Sequence, residues 1–305
     1  MIAFILKRFA QGLLVLIGVS FATFIVAHLS GDPVELMARE NATLQDKQDL
    51  REFLGLDRPL GAQYLSFVTG ALQGDLGYSF VQRAPVTDLI AERLPATLLL
   101  AAAGFLLALA IAIPLGILSA LKHNTGWDIA ITSVAMIGQA APGFWIGLML
   151  VVLFAVEWQL LPVSGSGTPA HLVLPALTLA LQSSARLTRL VRASVLEVLS
   201  ADYIRTARSK GLRERTVLFI HAFRGAMIPV VTMAGLELAE LVSGAFITET
   251  IFAWPGVGRL AVNAVAQRDF PVIQGVVLLA AVFFVVINFL VDLLYVVIDP
   301  RVRLR

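Results

Sequence analysis

Long apolar runs alternate with short polar segments along most of this chain. A helix needs about 20 mainly apolar residues to cross the roughly 30 Å hydrocarbon core of a bilayer. Five runs are long enough and predict membrane-spanning helices at residues 9–29, 96–121, 129–156, 227–253 and 272–297. A sixth run, residues 172–185, is short because Arg186 interrupts it. The pattern therefore predicts an all-α integral membrane protein with five or six spans.

The distribution of Lys and Arg decides whether the short run also spans the membrane. With six spans and a cytoplasmic amino terminus, the inner segments hold 15 basic residues and the outer segments hold 8. Without the fourth span, the nine basic residues of segment 186–226 would lie outside, against the positive-inside tendency. We therefore predict six spans, the fourth at about 172–191, with both termini in the cytoplasm.

Composition supports a membrane protein and removes several other classes. Of the 305 residues, 58% are hydrophobic and 14% are charged, and the mean hydropathy is +0.84. A soluble domain has about 45–50% apolar and about 25% charged residues. The chain has no cysteine and no G-x-x-x-x-G-K-[ST] phosphate loop, and its four histidines fall at expected span ends or loops. We expect no catalytic site, no bound cofactor or metal, and no nucleic-acid partner.

A polar region, residues 30–95, separates the first two spans. Ten acidic residues and two proline turns punctuate two expected short helices, near 45–54 and 63–72. A region of this size without disulfides or metal does not support a large core of its own. We therefore expect it to pack on the ends of the spans.

A basic segment, residues 186–224, separates the fourth and fifth spans and contains nine of the chain's 23 basic residues. Such a charge density is not tolerated in a bilayer interior. Within it, residues 201–211 predict a short amphipathic helix with Ile204 and Ala207 on one face and a stop at Gly211. Two interpretations remain, a plain anchor on the cytoplasmic side or a helix that docks in a partner's groove.

The first three arginines of the basic segment favour the anchor interpretation for its beginning. Arg186, Arg189 and Arg192 follow one another at i, i+3 and i+6, so they share one helix face. We expect that face to lie near the lipid headgroups.

The centre of the basic segment resembles a known family loop. Residues 202–211, Asp-Tyr-Ile-Arg-Thr-Ala-Arg-Ser-Lys-Gly, and residues 221–229, His-Ala-Phe-Arg-Gly-Ala-Met-Ile-Pro, are similar to the EAA-type loop of ABC importer permeases. The likeness is strongest to the dipeptide/oligopeptide/nickel branch. The general EAA pattern begins with Glu and ends in Leu-Pro. This chain has Arg205-Thr206-Ala207 and Phe223-Arg224 at those places, which is the form usual in the peptide branch. Further segments resemble the family in order, at residues 31–34, 94–98, 113–116, 142–145, 251–259, 268–274, 291–294 and 299–301.

The resemblance implies a type I ABC importer permease fold with six transmembrane helices, a cytoplasmic coupling helix and a small periplasmic region after the first span. Residues 1–29 would be the amino-terminal tail and first span, and residues 30–95 the periplasmic region. Residues 96–298 would be the permease core with coupling loop 192–226, and residues 299–305 a cytoplasmic tail.

The resemblance also implies partners and a location. In this family the coupling helix inserts into a cytoplasmic ATPase, which binds ATP and Mg²⁺, and two ATPases act on two related permeases. A periplasmic or lipid-anchored binding protein delivers the substrate at the bacterial inner membrane. Ala207 and Gly211 would permit close approach of the ATPase, and the other contacts would be polar. The coupling residues implied are Asp202, Tyr203, Arg205, Ala207, Arg208 and Gly211.

Carboxylates in the fifth span are candidates for the translocation pathway. Glu237 and Glu240 are three residues apart and share one helix face, and facing lipid would be costly. They line a pathway for a cationic or zwitterionic substrate, or they pair with residues of a second permease. Ser243 and Asn288 are further pathway candidates. Asp292 either lines the inner half of the sixth span or, as we expect, pairs with an arginine of the basic segment.

The turn Trp254-Pro255-Gly256 lies at the expected outer mouth, either as an interfacial turn or as a periplasmic gate.

The function that the resemblance implies is inward transport of di- or oligopeptides. The short loop at 157–171 leaves nickel, free or chelated, and glutathione as alternatives within the family. A stand-alone secondary transporter is a distant alternative, because it does not explain a docking helix.

Overall fold

The fold is built almost entirely from helices. The computed structural model describes residues 2–29, 34, 43–53, 56–79 and 81–298. The expected cytoplasmic tail, residues 299–305, lies outside the described residues. The first helices and the hairpin are α1 (Ile2–Leu29), α2 (Leu44–Phe53), α3 (Leu60–Leu72), β1 (Tyr78–Ser79) and β2 (Ala84–Pro85). The remaining helices are α4 (Val86–Leu121), α5 (Gly126–Ala140), α6 (Gly143–Leu150), α7 (Pro169–Leu199), α8 (Asp202–Ser209), α9 (Glu214–Thr216), α10 (Phe223–Gly244), α11 (Phe246–Ile251), α12 (Val257–Gln267) and α13 (Phe270–Ile298).

Four of these helices are long and apolar enough to cross a membrane. They cover Ile5–Leu29, Val86–Leu121, Gly225–Val242 and Phe270–Leu293. They correspond to the first, second, fifth and sixth predicted spans, but the fifth, predicted to end at residue 253, ends at Val242. The second predicted span, 96–121, starts ten residues after the actual start of the helix. Helix α4 begins at Val86, directly after the β hairpin.

The predicted third span, 129–156, is wrong as a single helix. The structure has two helices, α5 and α6, bent by 106° at a break after Ala140. Ala141 and Pro142 both have extended backbone angles, since the residue before a proline is disfavoured in the helical region. After Leu150 the second helix continues as a π-helical turn, Val151–Glu157.

Helix α7 contains the predicted fourth span and is 31 residues long, with Pro175 inside it. Fourteen of its residues are buried, including Thr178, Ser183 and Ser184. A helix surrounded by protein tolerates polar residues that a lipid-facing helix does not. The count of six spans stays a prediction, since α7 lacks the apolar character of the other spans.

The chain divides into two compact units. The first unit comprises residues 1–96 and 255–285, within the described ranges. In it, helix α3 lies against α1: the Tyr64 and Ser20 hydroxyls are 2.9 Å apart, and His28 Nε2 lies 2.9 Å from Gln63 Oε1. The two expected short helices are present as α2 and α3, and the packing of α3 on a span is confirmed.

The same unit contains the β hairpin and the contact between α1 and α13. Strands β1 and β2 are antiparallel, and Ser79 pairs with Ala84. Gly12 leaves room for Val285, because a Cβ at Gly12 would lie 2.6 Å from the valine Cγ1. Buried Asp269 accepts a 2.5 Å hydrogen bond from the Ser79 hydroxyl, which ties the start of α13 to the hairpin.

The second unit comprises residues 97–254 and 286–305, again within the described ranges. Its core forms where α4 and α10 pack on α7. Small side chains make close packing possible: a Cβ at Gly116 would meet Val191 at 2.6 Å and the Thr188 carbonyl at 2.8 Å. Two apolar clusters fill this core, made of Ala108, Ala112, Ala180, Leu187 and Ala234, and of Ala120, Val191, Val195, Ala226 and Val230.

Candidate functional site

An ion pair joins α7 to α10 in the middle of the second unit. Arg186 donates from Nε to Glu237 Oε1 at 2.6 Å and from Nη2 to Glu237 Oε2 at 2.7 Å. The same Nη2 donates to Glu240 Oε2 at 3.1 Å. One guanidinium therefore serves two carboxylates, and the cluster carries a formal excess of one negative charge.

The two carboxylates differ in access. Glu237 is fully buried, with both oxygens on Arg186, whereas the Glu240 side chain is 63% exposed. Glu240 is therefore accessible to a partner, either a substrate in a pathway or a second permease. Glu237 has its counter-ion within its own chain.

The other pathway candidates lie on α10 and α13. Ser243 lies on α10, one turn beyond Glu240, and its side chain is outside the described part of the structure. Asn288 and Asp292 are partly exposed residues of α13.

The expectation that Arg186, Arg189 and Arg192 share a headgroup-facing surface is wrong for two of them. Arg186 is held by the carboxylates of α10, and Arg192 donates to both carboxylate oxygens of Asp128, at 2.7 and 2.8 Å. Arg189 is exposed. Arginines on a helix that is packed in protein pair with acidic residues of neighbouring helices before they reach solvent.

Asp128 was missed by the sequence reasoning. It is buried at the start of α5 and also accepts a hydrogen bond from the Ser119 hydroxyl at 2.5 Å and one from the Asn124 N–H at 3.0 Å. These bonds join the end of α4, the start of α5 and α7. A lone acidic residue at the end of an apolar run is the sequence signal that could have indicated such a site.

Helix α8 has an inner apolar face that is satisfied within this chain. Ile204 is fully buried and Ala207 is buried, in a cluster with Val217 and Ala222. Val198 and Leu199, at the end of α7, pack on the same cluster. Ala207 therefore faces the chain's own core rather than the open side of the helix.

The outer face of α8 is polar and open. The side chains of Asp202 and Arg205 are 94% and 79% exposed, 3.6 Å apart at their charged atoms. Tyr203 is half exposed. Arg208 donates to both oxygens of Glu214, at 2.7 and 3.3 Å, and this hydrogen bonding lowers the pKa of the Glu214 carboxyl below its usual value.

Two glycines shape the surroundings of α8. Gly211 has φ of +75° and open space where a Cβ would stand, so backbone conformation rather than crowding favours glycine there. Gly225, at the start of the fifth span, lies under Tyr203: a Cβ there would be 2.9 Å from the tyrosine hydroxyl. The α8 segment thus contacts the ends of both α7 and α10.

The residues of the expected outer gate are found in different surroundings. Trp254 is buried, and its N–H donates to the Glu249 carbonyl at 2.8 Å. Glu249 is fully buried and accepts a 2.7 Å hydrogen bond from the Thr97 hydroxyl.

In the first unit, Pro255 and Gly256 line a cleft of about 420 Å³ together with Arg93 and Arg259. Pro255 is exposed and Gly256 is buried. The cleft therefore gives the two residues a polar neighbourhood with two guanidiniums on its wall.

Comparison with protein families decides the identity of this arrangement. The family model of the binding-protein-dependent transport system inner membrane component matches residues 112–304, and the amino-terminal model of the same system matches residues 1–101. The chain belongs to this permease family. It is therefore a multi-pass inner-membrane permease of the ABC importer type, as the resemblance predicted.

Curated relatives in the family cover the whole chain. The chain is 41% identical to the dipeptide transport system permease protein DppB of Escherichia coli (strain K12), with 99% of each chain covered. It is 40% identical to the oligopeptide transport system permease protein AppB of Bacillus subtilis (strain 168), covering 99% of this chain and all of AppB. It is 41% identical to the glutathione transport system permease protein GsiC of Escherichia coli (strain K12), with both chains fully covered.

Solved structures confirm the fold of this permease. The inward-facing MetNI methionine ABC transporter matches with a TM-score of 0.60 at 17% identity, over 69% of this chain and 96% of the MetNI chain. An amino acid ABC transporter crystallised with histidines matches with a TM-score of 0.52 at 19% identity, over 68% of this chain and 94% of the other. The shared architecture is that of the type I importer permeases.

Proposed function

We propose that this permease forms, with a second related permease, the pathway through which an ATP-driven importer moves di- and oligopeptides into the cell. The relatives DppB and AppB, which carry dipeptide and oligopeptide transport in their names, support this substrate class. Two cytoplasmic ATPases supply the energy, and a periplasmic or lipid-anchored binding protein delivers the peptide. This chain is the non-catalytic subunit, and ATP and Mg²⁺ are bound by the ATPases.

The two faces of α8 carry the proposal. Its outer face offers Asp202, Tyr203 and Arg205 to a partner, and its inner face is packed on the end of α7 and on Val217 and Ala222, just before α10. A force applied to the outer face is therefore passed on through Ile204 and Ala207, because close-packed apolar clusters transmit displacement rather than absorb it. This geometry supports the proposed role of α8 as the coupling helix.

The ion pair of α7 and α10 supports a concerted motion of the two helices. Separating Arg186 from Glu237 would leave a buried charge without a counter-ion, which is costly. The two helices therefore move as one body when α8 is displaced. We propose that the pathway opens and closes by movement of this body against its neighbours.

Glu240 is the pathway residue that the geometry favours. Its side chain is largely exposed, and one arginine is shared between it and Glu237, so the pair retains a net negative charge. That charge suits the amino-terminal ammonium of a peptide. Ser243 and Asn288 are proposed as further polar positions along the path. Trp254, Pro255 and Gly256 are proposed as part of the outer gate.

Glutathione is a second candidate substrate, and an observation favours it. The alignment with GsiC spans 306 residues and covers both chains completely, whereas the alignment with DppB spans 336 residues for a chain of 305. The chain is thus closer in length to the glutathione relative. Nickel, free or chelated, remains an alternative within the family that none of the named relatives supports.

The orientation proposed places both termini and α8 in the cytoplasm. The balance of 15 basic residues inside against 8 outside supports it. In this orientation α8 lies on the side of the ATPases.

Reconstitution tests the proposed function directly. The permease, its co-encoded second permease and the two ATPases are placed in proteoliposomes, with the cognate binding protein on the outside. Uptake of a labelled dipeptide, a labelled pentapeptide, glutathione and nickel is then compared with and without ATP. We expect ATP-dependent uptake of peptides. Uptake by the purified chain alone, without ATPases, would overturn the proposal.

A further inference from the structure

A groove of the first unit is left open between the first and last spans. It has a volume of about 630 Å³ and is lined by residues of α1, α12 and α13. Most of its wall is apolar, made of side chains such as Val26, Val265, Ile273 and Val277. Val265 is 62% exposed and Val26 61% exposed, so both present apolar surface to whatever fills the groove.

The groove lies at one end of two antiparallel membrane helices. Nearer the middle of both helices they touch, where Gly12 of α1 makes room for Val285 of α13. The groove lies between residues 22–27 of α1 and residues 273–277 of α13, about ten residues from the Gly12–Val285 contact along each helix. It therefore falls near one surface of the bilayer, at the level where acyl chains meet headgroups.

A cation stands at the rim of the apolar groove. Arg268 is exposed and lines the groove, and no hydrogen bond or ion pair of its guanidinium occurs within the described part of the chain. Gln274 lines the groove as well. An apolar groove that ends in an arginine and an amide complements a phospholipid, whose apolar tails lie below a negatively charged phosphate.

The rim arginine is held in place by its backbone. Arg268 ends α12 in the left-handed region, with φ of 55°, and its N–H donates to the Val265 carbonyl at 3.2 Å. The next residue, Asp269, is buried and accepts the hydrogen bond from Ser79. The acid beside Arg268 therefore has its own partner, and the turn that carries the arginine is fixed on both sides.

We propose that this groove binds one anionic phospholipid, with an acyl chain between α1 and α13 and its phosphate on Arg268. Few residues of these two spans are buried within the chain, so the surrounding medium is what covers them. That medium is lipid for a membrane span, and the exposed guanidinium of Arg268 selects the lipids with net negative charge. A second permease seated in the groove is the competing occupant, and the experiment separates the two.

The absence of cysteine makes a site-specific probe straightforward. Val265→Cys, labelled with a small fluorophore, is purified with its partner subunits and placed in nanodiscs that mix one brominated phospholipid with its unbrominated counterpart. Quenching by brominated phosphatidylglycerol is compared with quenching by brominated phosphatidylcholine. We expect a preference for the anionic lipid of roughly fivefold, which corresponds to about 1 kcal/mol for one basic residue near the membrane surface.

Three substitutions and a second label position sharpen the result. Arg268→Gln in the labelled chain should reduce the anionic preference to about one, and Arg268→Lys should retain it. Arg58→Gln, the same change at an exposed arginine that does not line the groove, should leave the preference unchanged. A label at Val134→Cys, an exposed position of α5, should show no anionic preference of its own.

Two outcomes would overturn the proposal. Equal quenching by the two lipids at Val265→Cys would show that the groove is ordinary lipid contact. No quenching by either lipid, together with cross-linking from Val265→Cys to the second permease, would show that protein covers the groove. Neither outcome depends on transport, so it leaves the proposed function untouched.

Discussion

The carboxylate of Glu237 accepts two hydrogen bonds from Arg186, a residue 51 positions earlier in the chain. The sequence separates them into a basic segment and an apolar span, and the fold brings them together in the interior. The pair fixes the register of α7 against α10. It also explains how a buried glutamate is stable in a membrane helix, because a paired charge is far less costly than an isolated one.

Removing one partner of this pair should destabilise the protein strongly. Glu237→Ala leaves a partly buried guanidinium without its main counter-ion, and we expect a loss of about 3–5 kcal/mol. The double variant Arg186→Met/Glu237→Met should recover much of that loss. Thermal unfolding of the purified chain in detergent measures both. Arg189→Met, on the exposed face of α7, is the control and should change little.

Glu240→Gln tests the pathway role of the exposed carboxylate. The side chain is largely exposed, so we expect the stability to change by no more than about 0.5 kcal/mol. Peptide uptake should fall roughly tenfold, since a charged hydrogen bond to the substrate is lost. Uptake rates and complex yield are measured together. Glu197→Gln, at an exposed position of α7, serves as the matched control; a normal uptake rate in Glu240→Gln would exclude the pathway role.

Charge reversal on the outer face of α8 should abolish docking without unfolding the chain. Arg205→Glu places a negative charge beside Asp202 on a solvent-facing surface, and the inner face of the helix is untouched. We expect the ATPases to be lost on co-purification while the chain unfolds at an unchanged temperature. Lys122→Glu, an exposed charge in the predicted loop between α4 and α5, should retain the ATPases. Normal recovery of the ATPases with Arg205→Glu would contradict the assignment of α8.

Gly211→Ala should loosen the end of α8 through backbone strain. A non-glycine residue in the left-handed region costs about 1–2 kcal/mol, and here nothing crowds the site to add to that cost. Gly211→Pro should have a larger effect, since proline fixes φ near −65°. Limited trypsin digestion after Arg208 and Lys210 reports the loosening. Gly126→Ala, at another uncrowded glycine with an ordinary φ, should leave the digestion rate unchanged.

Gly116→Val should destabilise the core between α4 and α7. Even a single Cβ at this position would lie 2.6 Å from Val191 and 2.8 Å from the Thr188 carbonyl. Overpacking of this kind costs about 1–3 kcal/mol. A lower unfolding temperature of the purified chain is the expected result. The matched control is Gly18→Val in α1, where a Cβ meets no atom within 4 Å; equal effects of the two changes would argue against close packing at Gly116.

Features that depend on local pattern were predictable from the sequence. The apolar runs predicted α1, α4, α10 and α13, because span length is set by the thickness of the bilayer. The stop at Gly211 and the apolar side of α8 followed from short-range rules for helix ends and periodicity. The family itself was recognisable from ordered motifs, and the comparisons confirmed it.

Features that depend on contacts between distant segments were not predictable. Nothing local to Arg186 or Arg192 indicates which acid each will meet, so both were expected among the headgroups. The break at Pro142 was not predictable either, since a proline within an apolar run does not reveal an angle of 106°. Ala207 was expected to face a partner, and only the cluster with Val217 and Ala222 shows which side of α8 is covered.

The packing of Ile204 and Ala207 inside the chain's own cluster means that the two sides of α8 obey separate constraints. Substitutions on the inner side are limited by volume, whereas Asp202 and Arg205 on the outer side are highly exposed and leave room for other side chains. Under the proposed coupling role, a different ATPase could therefore be matched by replacing Asp202 and Arg205 alone. The outer surface of α8 can therefore change while the packing of its inner side stays the same.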